Sequence, residues 1–339
     1  MSTERKYLLA LLLIVWTSFL VKGQDIHFSQ SFHSPILLNP AHTGNYFGDW
    51  RVVHNYRQQW TQIGKPLSTI GLGYDRQFYI FRQKLSLGIQ AVHDESGDFR
   101  LVHQKILVSA AYHHSSGPNE WHAGVQGGYV LKRLDVNGAT RPDQFDINIG
   151  LFNPALQSQD VHFNNREEYA DINLGVVYAR RFARLKPEVG FALYHINQPN
   201  ETFNADINYL AIRHVVHANV HIQLNDRFSL EPRVLFMHQS KARDLVFGSL
   251  GYMTLAKNGF KAQKAFAGLY LRDGLTRNWD AFVVQAGLGF KQLQTALSYD
   301  ITVSKLRLAN SYRGAIEFSV IYTGLSSVLS KRAIPCKRM

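Results

Sequence analysis

The chain has 339 residues, a formal charge of +12, one cysteine and a mean hydropathy of −0.18. So mild a hydropathy excludes a bundle of membrane-spanning helices, and a lone cysteine, Cys336, excludes an internal disulfide framework. The basic residues are scattered without a long run, which argues against a nucleic-acid-binding face.

Residues 1–23 read as a cleaved secretory signal. Arg5 and Lys6 form its positive start, residues 8–21 its apolar stretch, and Val21-Lys22-Gly23 the cleavage region. The run is shorter than the roughly 20 residues of a helical span. No cysteine follows the cleavage position, so a lipid anchor is not expected.

Residues 24–48 do not alternate and contain Pro35, Pro40 and Gly44, which marks an irregular segment. It is expected to begin on the periplasmic side and to plug a lumen or pack beneath one. Ile36-Leu37-Leu38 would seek a dry site there, and Asn39 would cap the turn.

From residue 49 to residue 324 the pattern changes to repeated segments of roughly ten residues, apolar alternating with small or polar. The predicted strands run near 49–58, 67–78, 84–94, 101–113, 120–132, 170–181, 187–196, 212–224, 228–238, 244–255, 263–272, 279–290, 292–301 and 313–323. Ile172, Leu174, Val176 and Tyr178, for example, oppose Asp171, Asn173, Gly175 and Val177. Side chains alternate across a strand, so each set defines a lipid face and a lumen face. The connections are unequal, with 133–169 and 197–211 on one side and short turns such as 225–227 on the other. Long outer loops and short periplasmic turns characterise outer-membrane barrels. The fold class is therefore all-β, a transmembrane antiparallel up-and-down barrel of about fourteen strands with a short irregular N-terminal plug segment. Residues 325–339 form a basic periplasmic tail.

No phosphate-cradling glycine loop, HExxH or GxSxG pattern is present. The 15 histidines, including His217 and His221 on one strand face and the His113-His114 pair, read as lumen lining rather than ligands. The acidic residues of the long loop, Asp143, Asp146, Asp160, Glu167 and Glu168, lack calcium-loop spacing. No catalytic residue, metal or cofactor is expected.

Four stretches carry a family resemblance. They are Gln24-Asp25 and Phe28-Ser29-Gln30 with Ser34-Pro35-Ile36-Leu37-Leu38-Asn39-Pro40-Ala41 and Gly44; Asn55-Tyr56-Arg57-Gln58-Gln59-Trp60; Ser298-Tyr299-Asp300-Ile301 with Ser304-Lys305-Leu306; and Arg313-Gly314-Ala315-Ile316-Glu317 with Ile334-Pro335-Cys336 near the end. In this order they resemble the PorP/SprF family of type IX secretion and gliding proteins of Bacteroidetes. The chain departs from it by ending in Lys-Arg-Met.

The resemblance implies a non-enzymatic outer-membrane barrel that anchors, or assists export of, a surface adhesin or other type IX cargo recognised through its C-terminal domain. Periplasmic type IX or gliding components and outer-membrane lipids are the other implied partners, with no nucleic acid. Pro35, Leu38, Asn39, Pro40, Gly44, Tyr56, Arg57, Trp60, Tyr299, Asp300, Arg313 and Gly314 are the motif residues expected to serve the plug or a partner. A passive channel or uptake barrel, and a barrel-embedded hydrolase, are the alternative readings.

Overall fold

The computed structural model describes residues 25–325, apart from 63, 82, 98–99, 135–143, 148, 154–155, 157–164, 204–206, 256–262 and 276–278. The signal region and the tail with Cys336 lie outside the described residues.

The strands are β1 (Trp50–Gln59), β2 (Leu67–Ile80), β3 (Gln83–Ser96), β4 (Leu101–Ser116), β5 (Asn119–Leu134), β6 (Phe145–Asp146), β7 (Leu151–Phe152), β8 (Arg166–Arg180), β9 (Leu185–Tyr194), β10 (Arg213–Gln223), β11 (Phe228–Gln239), β12 (Ala242–Thr254), β13 (Lys264–Asp273), β14 (Trp279–Gly289), β15 (Leu293–Thr302) and β16 (Arg313–Gly324). All but β6 and β7 form one closed antiparallel barrel, in chain order, with β1 paired to β16. Closure leaves no unpaired backbone edge in lipid. The small β6–β7 ribbon sits in the connection between β5 and β8.

Alternation sets the two faces of the wall. On β2, Ile70, Leu72 and Tyr74 point outward while Thr69, Asp75 and Gln77 are buried in the lumen. A slip of one residue would reverse every such pair, so the pattern also fixes the register. All fourteen predicted segments are barrel strands. The largest difference in their bounds is at β8, which begins at Arg166 rather than near residue 170. Residues 166–169 pair with Val130, Leu131, Lys132 and Arg133 of β5. Their charges hide the hydrophobic alternation, although the ladder continues.

The short turns after β2, β4, β8, β10 and β14 lie at one end, together with the start of β1 and the end of β16. The opposite end carries the long β5–β8 and β9–β10 connections. By loop length these are the periplasmic and outer ends.

The N-terminal segment lies inside the barrel. It comprises a 3-10 turn at Ser31–His33, a helical turn at Pro35–Leu38 and a second 3-10 turn at Pro40–His42. Its direction differs from expectation. Asp25 lies at the outer end, against Lys105 near the start of β4 and Arg213 at the start of β10. The chain then descends through the lumen to Asp49, beside β1. The reason is electrostatic: the outer half of the lumen wall carries buried cations, and a buried cation requires a paired anion.

Candidate functional site

The plug is held at three levels. At the outer level, Arg213 Nη1 donates to Asp25 Oδ2 at 2.9 Å, and Lys105 Nζ donates to Asp25 Oδ1. His195 Nε2 stands 3.4 Å from the same carboxylate, and its Nδ1 is 2.8 Å from Asp171 Oδ1. Burial alone would push the Asp25 carboxyl up, but Lys105, His195 and Arg213 outweigh it and hold it well below the usual carboxylate range.

One turn further in, the backbone N–H groups of Ser29 and Gln30 donate to the Glu317 carboxylate at 2.7 and 2.8 Å. Ser29 Oγ donates to Asp300 Oδ2 at 2.7 Å. Arg57 bridges both acids, donating to Glu317 Oε1 and, at 3.2 Å, to Asp300 Oδ2. Arg272 Nη1 donates to Asp300 Oδ2 at 3.1 Å. Two guanidinium groups thus face two carboxylates at nearly zero exposure. Such a cluster is tolerable only when every charge is paired.

The middle level is mixed. His33 stacks on Phe266 with ring centroids 5.8 Å apart, and Gln285 and Gln294 bracket its two ring nitrogens. Burial, with Arg233 nearby, pushes the His33 imidazole down to about 3, so it is neutral at physiological pH. Ile36 is 1 % exposed, and Leu38 packs into a core of Tyr194, Val215, Leu235, Met237, Tyr270 and Val283.

At the periplasmic level, Asn39 Oδ1 accepts from the Ala41 N–H at 2.9 Å, while its Nδ2 donates to the carbonyls of Val176 and Phe191 at 3.2 Å. The segment lies here on two glycines paired across the wall, Gly124 of β5 and Gly175 of β8. A Cβ on Gly124 would collide with the Pro40 backbone, and one on Gly175 with the Asn39 side chain. Gly44, at φ +70°, donates its N–H to Asp75 Oδ2 at 2.6 Å, and Arg51 clamps the same carboxylate. Thr43 Oγ1 donates to Ser109 Oγ at 2.8 Å.

A cavity adjoins the plug at each end of the barrel. The outer one, of about 510 Å³, is lined by Asp25, Arg57, Trp60 and Arg272 among others. The periplasmic one, of about 470 Å³, is lined by His42, Tyr46, Arg51, Glu188 and Arg233 among others. The plug therefore supplies wall to two separate vestibules.

Residues 20–322 match the family described as type IX secretion system membrane protein PorP/SprF. The chain belongs to the PorP/SprF family. It is a membrane protein of type IX secretion, with the barrel of an outer-membrane protein. No curated protein matches it in sequence.

Among solved structures, this PorP/SprF barrel is similar to the toluene transporter TbuX of Ralstonia pickettii, with 11 % identity over 85 % of this chain and 92 % of that one, TM-score 0.47. It is similar also to the CymD monoaromatic hydrocarbon channel, with 9 % identity over 87 % and 93 %, TM-score 0.49. A FadL homologue of Pseudomonas aeruginosa gives 11 % identity over 84 % and 92 %, TM-score 0.44. At these scores the likeness carries no inference about what passes through or binds to the chain.

The family motifs converge only in part. Pro35, Leu38, Asn39, Pro40 and Gly44 lie in the plug, and Arg57 and Asp300 hold it. Trp60 lines the outer cavity, and its backbone N–H donates to the Gly314 carbonyl at 3.0 Å. A Cβ at Gly314 would meet the Asp300 backbone. Tyr56 and Tyr299 instead face outward toward lipid, and Arg313 is exposed at the outer rim. Missing from the expected set are Lys105, Asp171, His195, Arg213 and Arg272, while Asp25 and Glu317 stand in the resemblance stretches with no role expected of them. Most shared one legible signal, a charge on the lumen face of an alternating strand, where buried polar groups demand partners.

Proposed function

We propose that this PorP/SprF barrel is a non-enzymatic, plugged scaffold in the outer membrane, which anchors or assists export of a surface adhesin or other type IX cargo. The observation that carries the reading is the filled lumen. Residues 25–44 bond to strands around the barrel wall, from β1 and β2 through β4, β8 and β10 to β15 and β16. A passive channel is expected to keep its lumen open, whereas a scaffold needs only its two rims.

The cargo is engaged through its C-terminal domain, and periplasmic type IX or gliding components meet the short-turn end. At the outer rim, the β6–β7 ribbon offers a contact surface. Phe145 and Phe152 pack edge to face at 5.2 Å, while neighbouring Ile147 is 86 % exposed and Leu151 66 %. Apolar groups this exposed at a rim favour a protein partner.

The test is a strain lacking the chain, with all proteins bearing a type IX C-terminal domain measured on the surface and in the medium. Loss of at least one from the surface, together with its recovery bound to the barrel in mild detergent, supports the reading. Unchanged display of every such protein contradicts it.

A further inference from the structure

Three side chains from three separate elements meet where the plug touches the wall near the periplasmic vestibule. His42 belongs to the second 3-10 turn of the plug, Glu188 to β9 and His217 to β10. One ligand atom from each lies within 4.8 Å of the other two. His42 Nε2 is 3.9 Å from Glu188 Oε1, and the two imidazole rings have centroids 5.1 Å apart.

Several local features build this as a site. Asn219 and Glu188 are register partners, as are His217 and Gly190, which places the acid and the imidazole on adjacent strands of the same lumen face. Gly190 leaves the room that the His217 ring fills, since a Cβ there would collide with it. His217 is fully buried, and its Nδ1 has no hydrogen-bond partner. Its Nε2 lies 3.2 Å from Asn39 Nδ2, but the two hydrogens of that amide already serve the Val176 and Phe191 carbonyls. A buried imidazole left short of partners is costly, and a cation would remove the deficit. Asn45 Nδ2 lies 3.2 Å from His42 Nδ1; a metal on Nε2 would leave the proton on Nδ1, which donates to the Asn45 side chain once its amide is turned to present the oxygen.

We propose that His42, Glu188 and His217 bind one divalent transition-metal ion, zinc in preference, and that the ion fastens the plug to the barrel wall. Two imidazoles and one carboxylate form a recurrent zinc donor set with a fourth position open. Zinc ligands at about 2.0–2.2 Å stand roughly 3.3 Å apart, so closure from the present spacing needs only small side-chain rotations. The fourth position is left to water, since His42 and Glu188 both line the periplasmic cavity. Binding links plug and wall in the folded state alone, which stabilises the seated plug by mass action.

The experiment uses the full barrel, purified with a histidine-free tag, stripped with chelator and titrated with zinc or cobalt. Metal analysis is expected to give one equivalent per chain, with a higher melting temperature and the visible absorption of low-symmetry four-coordinate cobalt. Glu188→Gln and His42→Gln should each weaken binding at least about tenfold while the folded barrel still migrates as such on a gel. His113→Gln, which alters the neighbouring His113–His122 pair, should leave binding unchanged. Failure of the unsubstituted barrel to take up stoichiometric metal overturns the proposal. So does uptake that ignores Glu188→Gln and His42→Gln, or that is lost with His113→Gln.

Discussion

Asn39 occupies, with its side-chain oxygen, the space that a Cβ on Gly175 would need. The pair joins the plug to the wall by shape as well as by hydrogen bonds, because the same asparagine holds the carbonyls of Val176 and Phe191. Gly175→Ala should push the turn off the wall and cost about 1–3 kcal/mol, as overpacking usually does. Asn39→Ala should cost about 1 kcal/mol through the lost cap. Denaturant unfolding in lipid vesicles, read alongside protease cleavage within residues 25–44, checks both.

Arg57, Arg272, Asp300 and Glu317 should behave as one unit. Replacing a single member leaves the cluster with one buried charge in excess, a loss of about 3–5 kcal/mol, even though Arg57 keeps Glu317 and Arg272 keeps the part-exposed Asp280 when Asp300 is replaced. Asp300→Asn and Arg57→Met are each expected to lower the melting temperature strongly, and the double replacement should cost less than the sum of the two. A double-mutant cycle measures that difference. Additive losses would show that the four side chains act independently.

The strands were readable because every second residue reports one face, and polar stretches such as 166–169 were the main places where the signal failed. The plug was readable as an interruption, through Pro35, Pro40 and Gly44. Its direction was not. An irregular segment has no period, and the groups that orient it lie far along the chain. Lys105 and Arg213 follow Asp25 by 80 and 188 residues, and Glu317 follows Ser29 by 288. The His42–Glu188–His217 meeting was hidden for the same reason: one member sits in the plug and two on neighbouring strands.

Acid should loosen the plug. A free imidazole takes up a proton near pH 6.5. Burial pushes His27 and His33 down to about 3, helped by Arg272, Arg57 and Arg213 around His27 and by Arg233 beside His33, where Glu231 opposes. A released plug therefore binds more protons than a seated one between those values, so seating weakens as pH falls below about 6.5. His195 acts in the opposite sense. Burial depresses it, but Asp171 and Asp25 outweigh burial and raise it, so its contribution is complete below the ordinary histidine value and fades as pH rises through the raised one. Asp25 is held low, so its contribution is lost only as pH falls through that depressed value. Protease access to residues 25–44 should rise between about pH 7 and about pH 5, and His33→Gln should flatten the change.

The seating of Asp25 at the outer end of the lumen bears on export. A chain tethered by an uncleaved anchor in the inner membrane could not place Asp25 there. We propose that residues 1–23 are removed and the mature protein begins at Gln24; the intact mass of the barrel isolated from membranes checks this. A mass that includes residues 1–23 would contradict the proposed removal of the signal.

Ion conductance across planar bilayers tests the plugged scaffold most directly. The complete barrel should insert without a steady open-channel current, and deletion of residues 25–44 should produce one. A large, steady conductance from the complete barrel, unaltered by that deletion, would contradict the filled lumen and return the chain to the class of open channels.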